Sequence, residues 1–248
     1  MEKNDFFIKR IRELANISYQ RDIATFSDFL NLNEQNLIKM ERFPGVSAGF
    51  YGGYDHAERV IAAFHPPTVD YEWTYPISCL RIEARSAKFS EKLTHRDYLG
   101  AILNLGVDRS VIGDILVKEH TAWLFCHDCI ADFLAENLFR VRHTAVSVFR
   151  SVAEDRLPEP DLAPVTGTCS SVRLDSLIAL AFQASRNSMV SFIESGQVFV
   201  NGKLISSNGY EPKEGDIISV RGKGRFILNS INGQTKKGRI SVRLLRYQ

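Results

Sequence analysis

Residues 172–226 hold the clearest structural signals in the chain and read VRLDSLIALAFQASRNSMVSFIESGQVFVNGKLISSNGYEPKEGDIISVRGKGRF. From Leu174 onward, apolar residues recur at i, i+3, i+4, i+7 and i+8, which is one face of a helix. Ser185 is a suitable N-cap for a second, shorter helix. Asn201-Gly202 predicts a tight hairpin, because both residues accept the positive φ of a type I′ turn. The stretch therefore predicts two helices packed on a small curled antiparallel sheet.

The charges of this stretch concentrate where the predicted helices begin and at its turns. Arg173 opens the first helix and Arg186 opens the second. Helix N-termini present free N–H groups and the positive end of the helix dipole, so guanidinium groups added there form a phosphate site. Lys203 follows the predicted hairpin tip, and Arg221, Lys223 and Arg225 surround two glycines.

Charge is divided unevenly along the 248 residues, although the formal net charge is only +2. Residues 166–248 contain 12 Lys and Arg against 5 Asp and Glu, whereas the first 165 residues contain 19 against 24. A basic module joined to an acidic body indicates a nucleic-acid partner for the module. The alternative is that these cations are ordinary solvated surface charges.

Four ordered segments of residues 172–226 resemble the S-four-type (S4) RNA-binding domain, which is named after a ribosomal protein and shared by many proteins of translation. The segments are R-L-D from Arg173, S-R at Ser185, V-x-V-N-G-K from Val198 and G-D-x-I-S-V-R-G-x-G-R-F from Gly215. The resemblance implies that the two helices and the hairpin face RNA, with contacts from Arg173, Ser185, Arg186, Lys203 and Arg225. With Asn187, Arg221 and Lys223, we predict eight RNA contacts in this domain.

Composition divides the chain into an N-terminal α/β region at 1–74, a middle domain at 75–154, a proline-rich linker at 155–168 and the basic domain at 169–248. Residues 5–42 are predicted to be helical. The N-terminus lacks an apolar signal core, and no apolar run approaches membrane-spanning length. We therefore expect a cytoplasmic protein with no membrane partner.

The middle domain alternates strand and helix signals in the order βαββαβ. This order is typical of the ferredoxin-like plan, which the RNA-recognition (RRM-like) fold shares. The chain is thus predicted to be of the α+β class. Trp123 and Phe125 project from one face of their strand, where they either stack RNA bases or pack in the core against the helices. We favour core packing, because the basic, glycine-containing aromatic signature of the RNA-recognition fold is absent.

The chemistry-bearing motifs of the middle domain are incomplete. Cys126 and Cys129 have C-x-x-C spacing at a predicted strand-to-helix junction, where a helix N-terminus lowers a thiol pKa. A redox pair is one interpretation, and two small half-buried residues are the favoured one. No second C-x-x-C or spaced His pair accompanies them, so neither a metal nor another cofactor is predicted. No catalytic residues are assigned.

A second resemblance covers nearly the whole chain. The matching segments resemble the YlmH family of bacterial proteins, and they are Phe50-Tyr51-Gly52-Gly53-Tyr54, Ala57-Glu58-Arg59, Thr94-His95-Arg96-Asp97-Tyr98-Leu99-Gly100, Leu103-Asn104-Leu105-Gly106, Arg109 and Ile112-Gly113-Asp114-Ile115. The resemblance implies an RNA-binding middle domain and RNA binding tied to the ribosome. We consider His95, Arg96 and Arg109 a possible second RNA contact, with a structural turn as the alternative.

The leading functional hypothesis is a non-catalytic RNA-binding factor acting on the ribosome or tRNA. The YlmH resemblance implies large subunits that carry peptidyl-tRNA in ribosome-associated quality control. An RNA-modifying enzyme anchored by its basic domain and a protein–protein adaptor are the alternatives. Four scattered cysteines do not make a disulfide framework, and nothing in the sequence demands more than a monomer.

Overall fold

The structure is a computed structural model that describes residues 2–55, 57–86, 88, 90–151, 157–158, 162–235 and 238–247. The chain divides into two compact units, Met1–Pro158 and Glu159–Gln248. Each unit is a mixture of helices and antiparallel sheet, as the predicted α+β class requires. Among the described residues, no helix is both long enough and apolar enough to cross a membrane.

The first unit begins with a three-stranded antiparallel sheet and two helices. The elements are α1 (Glu2–Arg21), β1 (Thr25–Leu30), α2 (Leu32–Met40), β2 (Ser47–Tyr51) and β3 (Val60–His65). The strand order is β1-β3-β2. Ile11 of α1 and Ile38 of α2 are buried against Phe64 of the central strand. Asn31 and Glu34 form a reciprocal capping box at the start of α2.

The expectation that residues 5–42 are helical is wrong over β1. Thr25, Ser27 and Phe29 are buried while the residues between them are partly exposed, which is the period-2 pattern of a strand. Ser27 uses its hydroxyl to accept a hydrogen bond from the N–H of Ala62 at 2.9 Å. Two of the buried residues, Thr25 and Ser27, are polar, so the sequence shows no apolar alternation that would predict a strand. The strand forms because this segment pairs with β3.

The middle of the first unit is a five-stranded antiparallel sheet with two helices. Its elements are β4 (Ile77–Ala84), α3 (His95–Leu103), a 3₁₀ turn (Arg109–Val111), β5 (Ile112–Lys118), β6 (Thr121–His127), α4 (Asp128–Asn137), β7 (Arg140–Val141) and β8 (Thr144–Arg150). The strand order is β5-β6-β4-β8-β7. We interpret the βαββαβ order of the longer elements as the ferredoxin-like plan with one added edge strand.

One face of this five-stranded sheet packs against α3 and α4. Leu80 and Leu124 from the sheet, Tyr98 and Ile102 from α3 and Leu134 from α4 are completely buried there. Thr94 is the N-cap of helix α3, and Asp97 accepts hydrogen bonds from the N–H and the hydroxyl of Thr94.

The opposite face of the five-stranded sheet is covered by the N-terminal strands of the same unit. Phe125 is only 1% exposed and packs with Phe29 and Ile61. Its ring also stacks on Tyr54, with centroids 4.8 Å apart. Gly113 permits this close approach, because a Cβ there would lie 2.6 Å from the ring of Phe29. Phe125 is therefore a core residue, as favoured, but it packs on the N-terminal strands and not on the helices.

A largely buried carboxylate, Asp114, joins the N-terminal strands to the middle sheet. It accepts a hydrogen bond from the hydroxyl of Tyr54 at 2.8 Å. It also accepts from the main-chain N–H groups of Glu58 at 2.7 Å and of Arg59 at 3.2 Å. Burial raises the pKa of Asp114, and these hydrogen bonds oppose that rise. The carboxylate thus fixes the chain just before β3 to the start of β5.

The guanidinium of Arg59 reinforces the same junction from the other side. It donates to the carbonyl of Phe29 at 2.8 Å and to that of Ile112 at 2.8 Å. A third bond reaches the carbonyl of Arg109 at 3.2 Å. Burial lowers the pKa of Arg59, and the charge of Asp114 partly restores it. Several of the residues matched to the YlmH family therefore meet in one structural network.

The second unit is a six-stranded antiparallel sheet that carries two helices on one face. Its elements are β9 (Leu162–Cys169), α5 (Leu174–Ala181), α6 (Arg186–Glu194), β10 (Val198–Val200), β11 (Lys203–Leu204), β12 (Ile217–Val220), β13 (Gly224–Gln234) and β14 (Ile240–Tyr247). The strand order is β11-β10-β12-β13-β14-β9. Leu177 and Ile193 of the helices are completely buried with Phe226 and Leu244 of the sheet.

Local predictions for the second unit are confirmed. Ser185 caps α6 by accepting from the N–H of Ser188 at 3.2 Å. Asn201 and Gly202 have φ of 47° and 75°, as a type I′ turn requires. Asn201 also donates from its side chain to Asp216 at 2.8 Å, which ties the hairpin tip to the next strand.

The proline-rich linker predicted at 155–168 is corrected over its second half. Residues 162–168 belong to β9, which pairs with β14 from Leu162↔Tyr247 to Cys169↔Ile240. Pro164 is tolerated because β9 is an edge strand. Of the first half, only 157–158 are described, and Pro160 lies outside the described residues. The proline spacing predicted an extended chain, and residues 162–168 are extended. They are not a linker, because they pair with β14 and belong to the sheet.

We predict that Asp114→Ala lowers the free energy of unfolding of the first unit by about 3 kcal/mol, because it leaves three partly buried donors without their acceptor. Urea unfolding followed by tryptophan fluorescence measures this unit selectively, since both tryptophans, Trp73 and Trp123, lie in it. Tyr54→Phe is the matched control: it keeps the stack on Phe125, removes one hydrogen bond and costs about 1 kcal/mol. Equal losses for the two variants would contradict a central role for the carboxylate.

Candidate nucleic-acid interface

Asp175 lies between the two arginines at the starts of the helices. Its Oδ2 accepts from Nη2 of Arg186 at 2.8 Å and from Nε at 3.2 Å, while its Oδ1 lies 3.5 Å from Nε of Arg173. The Asp175 side chain is 7% exposed, against 43% for Arg173 and 48% for Arg186. One buried carboxylate therefore holds two guanidinium groups close together and leaves nearly half of each side chain accessible.

The helix starts place these groups by local chemistry. Arg173 is the residue before the first turn of α5, and the N–H of Leu174 donates to the carbonyl of Tyr210 at 2.9 Å. Ser185 caps α6, so Arg186 and Asn187 form the exposed beginning of that helix. The positive ends of two helix dipoles add to the two guanidinium charges. Such a site attracts phosphate groups.

Two lysines lie on the same face of the sheet as the helices, which we call the helix side. Nζ of Lys223 is 5.6 Å from the ring centroid of Phe192 on α6. Lys203 pairs with Val200, whose side chain is buried beneath the helices, so the register places Lys203 on the helix side. Both residues were predicted RNA contacts.

Arg221 and Arg225 lie on the opposite face, which we call the strand side. Arg225 precedes the buried Phe226 on β13, so alternation turns it away from the helices. Its guanidinium lies 4.3 Å from the ring centroid of Tyr247, and that of Arg221 lies 5.1 Å from the ring of Phe199. The eight predicted positions therefore do not form one surface.

Asp175 is the site residue that sequence reasoning missed. It was quoted only as part of the R-L-D segment, whose arginine received the functional interpretation. The sequence feature that could have identified Asp175 is its place in the helix. It is an acidic residue in a helix whose other residues are mostly apolar and buried. A buried carboxylate near two arginines points to an organising role.

Arg109, predicted as part of a second RNA contact, is engaged with main-chain atoms. Its Nη1 donates to the carbonyl of Ile112 at 2.6 Å and contacts that of Gly113 at 3.4 Å. Burial, aided by the nearby Arg59, lowers the pKa of Arg109 to about 10. The structural-turn alternative fits these contacts.

His95 and Arg96 form the first turn of α3. Desolvation and the charge of Arg109 lower the pKa of His95, which favours its neutral form near pH 7. Arg96 is exposed and lines a cleft beside α3. The three predicted residues therefore have different surroundings.

All four cysteines are free thiols. Cys126 is completely buried, and burial raises its pKa to about 12, with a smaller contribution from the charge of Asp128. Cys129 is exposed at the start of α4. In the described part of the chain, no group of three or more His, Cys, Asp or Glu side chains is arranged to hold a metal ion.

The described geometry defines a protein that carries an S4 domain, and comparison with known proteins gives its family. A family model described as "Putative RNA-binding domain in YlmH" matches residues 70–155, and the S4 domain model matches residues 172–218. The chain is 32% identical over 241 residues to the Bacillus subtilis (strain 168) protein named ribosome-associated protein quality control protein P2, covering 95% of this chain and 92% of the relative. The chain belongs to the YlmH family.

Among solved structures, a chain named cell division protein ylmH from Streptococcus pneumoniae is 25% identical and has a TM-score of 0.47. The match covers 63% of this chain and 92% of that one.

We predict that Asp175→Asn weakens RNA binding by about tenfold, although it raises the net positive charge by one. The reason is that Arg173 loses its ion pair and Arg186 keeps only a bond to a neutral amide oxygen, whereas a hydrogen bond between charged groups is worth about 1.5–3 kcal/mol. Fluorescence anisotropy with a labelled RNA hairpin measures the change. Glu211→Gln, at an exposed acidic residue of the same unit, is the charge-matched control and should bind as well as wild type or better. Tighter binding by Asp175→Asn would show that bulk charge, not positioning, decides affinity.

We also predict that iodoacetamide at pH 8 labels Cys129 and leaves Cys126 unmodified. A thiol with a pKa of about 12 stays protonated at pH 8, and only the thiolate reacts. Peptide mapping by mass spectrometry after native labelling measures both sites. A Cys126–Cys129 disulfide formed by oxidised glutathione in the folded protein would contradict this prediction and support the redox interpretation.

Proposed function

We propose that this chain is a cytoplasmic, non-catalytic RNA-binding factor that acts on the ribosome and uses the helix side of its S4 domain as the main anchor. The observation that carries the proposal is the pair of guanidinium groups that Asp175 holds at two helix N-termini. Lys203 and Lys223 extend that positive surface. We expect a smaller contribution from the strand-side arginines.

The comparisons support the ribosome as the place of action. Both matched family models are of RNA-binding domains, and the Bacillus subtilis relative is named a ribosome-associated quality control protein. We extend this to the finer proposal that the partner is the large subunit with its peptidyl-tRNA. A monomer is the form we propose, with one S4 domain engaging one ribosome.

The motif residues of the first unit favour a binding role over catalysis. Asp114, Arg59 and Arg109 form hydrogen bonds that hold the unit together. Cys126 is a buried thiol with a raised pKa. Groups tied up in this way are available neither as nucleophiles nor as general bases.

Co-sedimentation with purified large ribosomal subunits at several salt concentrations tests the proposal. We predict that Arg173→Ala/Arg186→Ala lowers the affinity at least tenfold. We also expect the slope of log K against log salt to fall by about 1.5, because each lost phosphate contact removes about 0.7 to 0.9.

The matched control is Arg225→Ala/Arg243→Ala, which removes the same charge from exposed or partly exposed positions on the strand side. We expect this variant to lose less affinity than the helix-side variant. Equal losses of affinity in the two variants would mean that net charge drives association. Unchanged binding by both variants would show that the S4 domain is not the anchor. Turnover of RNA by the wild type with a methyl donor would replace the proposal with a modifying enzyme.

A further inference from the structure

The middle domain has a cleft that the contacts described so far leave free. It lies between α3 and the segment that joins α4 to β8, and its volume is about 620 Å³. Since the face of the sheet that carries Phe125 is covered by the N-terminal strands, that face is not available at Phe125 for base stacking. The lining side chains that bear on recognition are Arg96, Asn104, Phe139, Arg140 and Arg142.

The cleft is strongly cationic. Arg96 and Arg140 are exposed, and neither pairs with a carboxylate anywhere in the part of the chain that the structure describes. The acidic lining residue is Asp97, which lies 3.5 Å from Arg142. The carboxylate of Asp97 already accepts hydrogen bonds from the N–H and the hydroxyl of Thr94, the N-cap of α3, at 2.8 and 2.7 Å. A positive cluster in a unit of net negative charge marks an anion site.

An exposed aromatic ring stands among these cations. Phe139 is 58% exposed, although its main chain is fixed by a hydrogen bond from the N–H of Val146 to its carbonyl at 2.9 Å. The next turn places Arg142 at a φ of 52°, a conformation that costs a side-chain-bearing residue roughly 1 kcal/mol. The positive φ of Arg142 belongs to the two-residue turn between β7 and β8, whereas the exposed ring of Phe139 is an apolar surface that a ligand could cover.

We propose that this cleft binds an unpaired nucleotide of RNA, with its base on Phe139 and its phosphates on Arg96 and Arg140. The inference rests on the proposed RNA-binding function and gives the middle domain its own contact. Aromatic rings flanked by arginines are the usual means of holding single-stranded RNA, because every base has a stacking face and every linkage an anionic oxygen. An acidic peptide would use the arginines and leave Phe139 without a planar partner.

The test uses the full chain and a fluorescein-labelled single-stranded RNA oligonucleotide of mixed sequence. For Arg96→Ala/Arg140→Ala we expect about tenfold weaker binding and a salt slope lower by about 1.4, since each single-strand phosphate contact contributes about 0.7. For Phe139→Leu we expect at least fivefold weaker binding with an unchanged slope. Ultraviolet cross-linking of the wild type should yield an RNA adduct on the peptide that contains Phe139.

Arg21→Ala/Lys118→Ala is the matched control, because it removes the same charge from exposed positions of the same unit. Binding by the cleft variants that equals binding by this control would overturn the inference. Loss in the arginine variant with no loss in Phe139→Leu would also overturn it, since the cleft would then hold an anion without a base.

Arg173→Ala/Arg186→Ala in the same assay separates this inference from the proposed function. Loss in that variant alone sustains the S4 anchor and rejects the cleft. Loss in the cleft variants alone sustains the cleft and rejects the anchor. If the wild-type protein binds no RNA, both the S4 anchor and the cleft site are rejected.

Discussion

The first unit depends on one buried carboxylate. Asp114 accepts hydrogen bonds from a tyrosine hydroxyl and two main-chain N–H groups, and the guanidinium of Arg59 binds three carbonyl groups beside it. Burying such charged groups is costly unless their hydrogen-bonding capacity is met, and here it is met almost entirely by main-chain atoms. Because those main-chain atoms come from separate strands, the network fixes the N-terminal strands on the middle sheet.

That arrangement has a consequence for RNA recognition. The N-terminal strands cover Phe125, a position from which a sheet of the RNA-recognition type would stack bases. The cations that we propose for RNA binding lie elsewhere: on the helix side of the second unit and, in the middle domain, in the cleft beside α3. The helix-side cluster lies at two helix N-termini, where backbone N–H groups add to the side-chain cations, whereas the cleft also borders residues that follow the C-termini of α3 and α4.

The second unit also contains a buried carboxylate, but this one contacts side chains. Asp175 is buried and holds Arg173 and Arg186, whereas Asp114 is buried and holds main chain. A carboxylate among arginines reduces the net positive charge of the surface, so bulk electrostatics alone gives it no advantage. In the RNA interface that we propose, its contribution is geometric: holding two flexible guanidinium groups in place before a phosphate binds reduces the ordering cost of binding.

Patterns among neighbouring residues predicted most of the local structure, and the matched segments predicted the family. The apolar period from Leu174, the cap at Ser185 and the Asn201-Gly202 turn were all readable, because each depends on residues a few positions apart. The face that each residue occupies depends instead on contacts between distant segments. Asp114 and its partner Tyr54 are 60 residues apart, β9 becomes a strand only beside β14, and Arg225 leaves the helix side because Phe226 enters the core. Those outcomes depend on strand pairing and burial between distant segments, which no local pattern records.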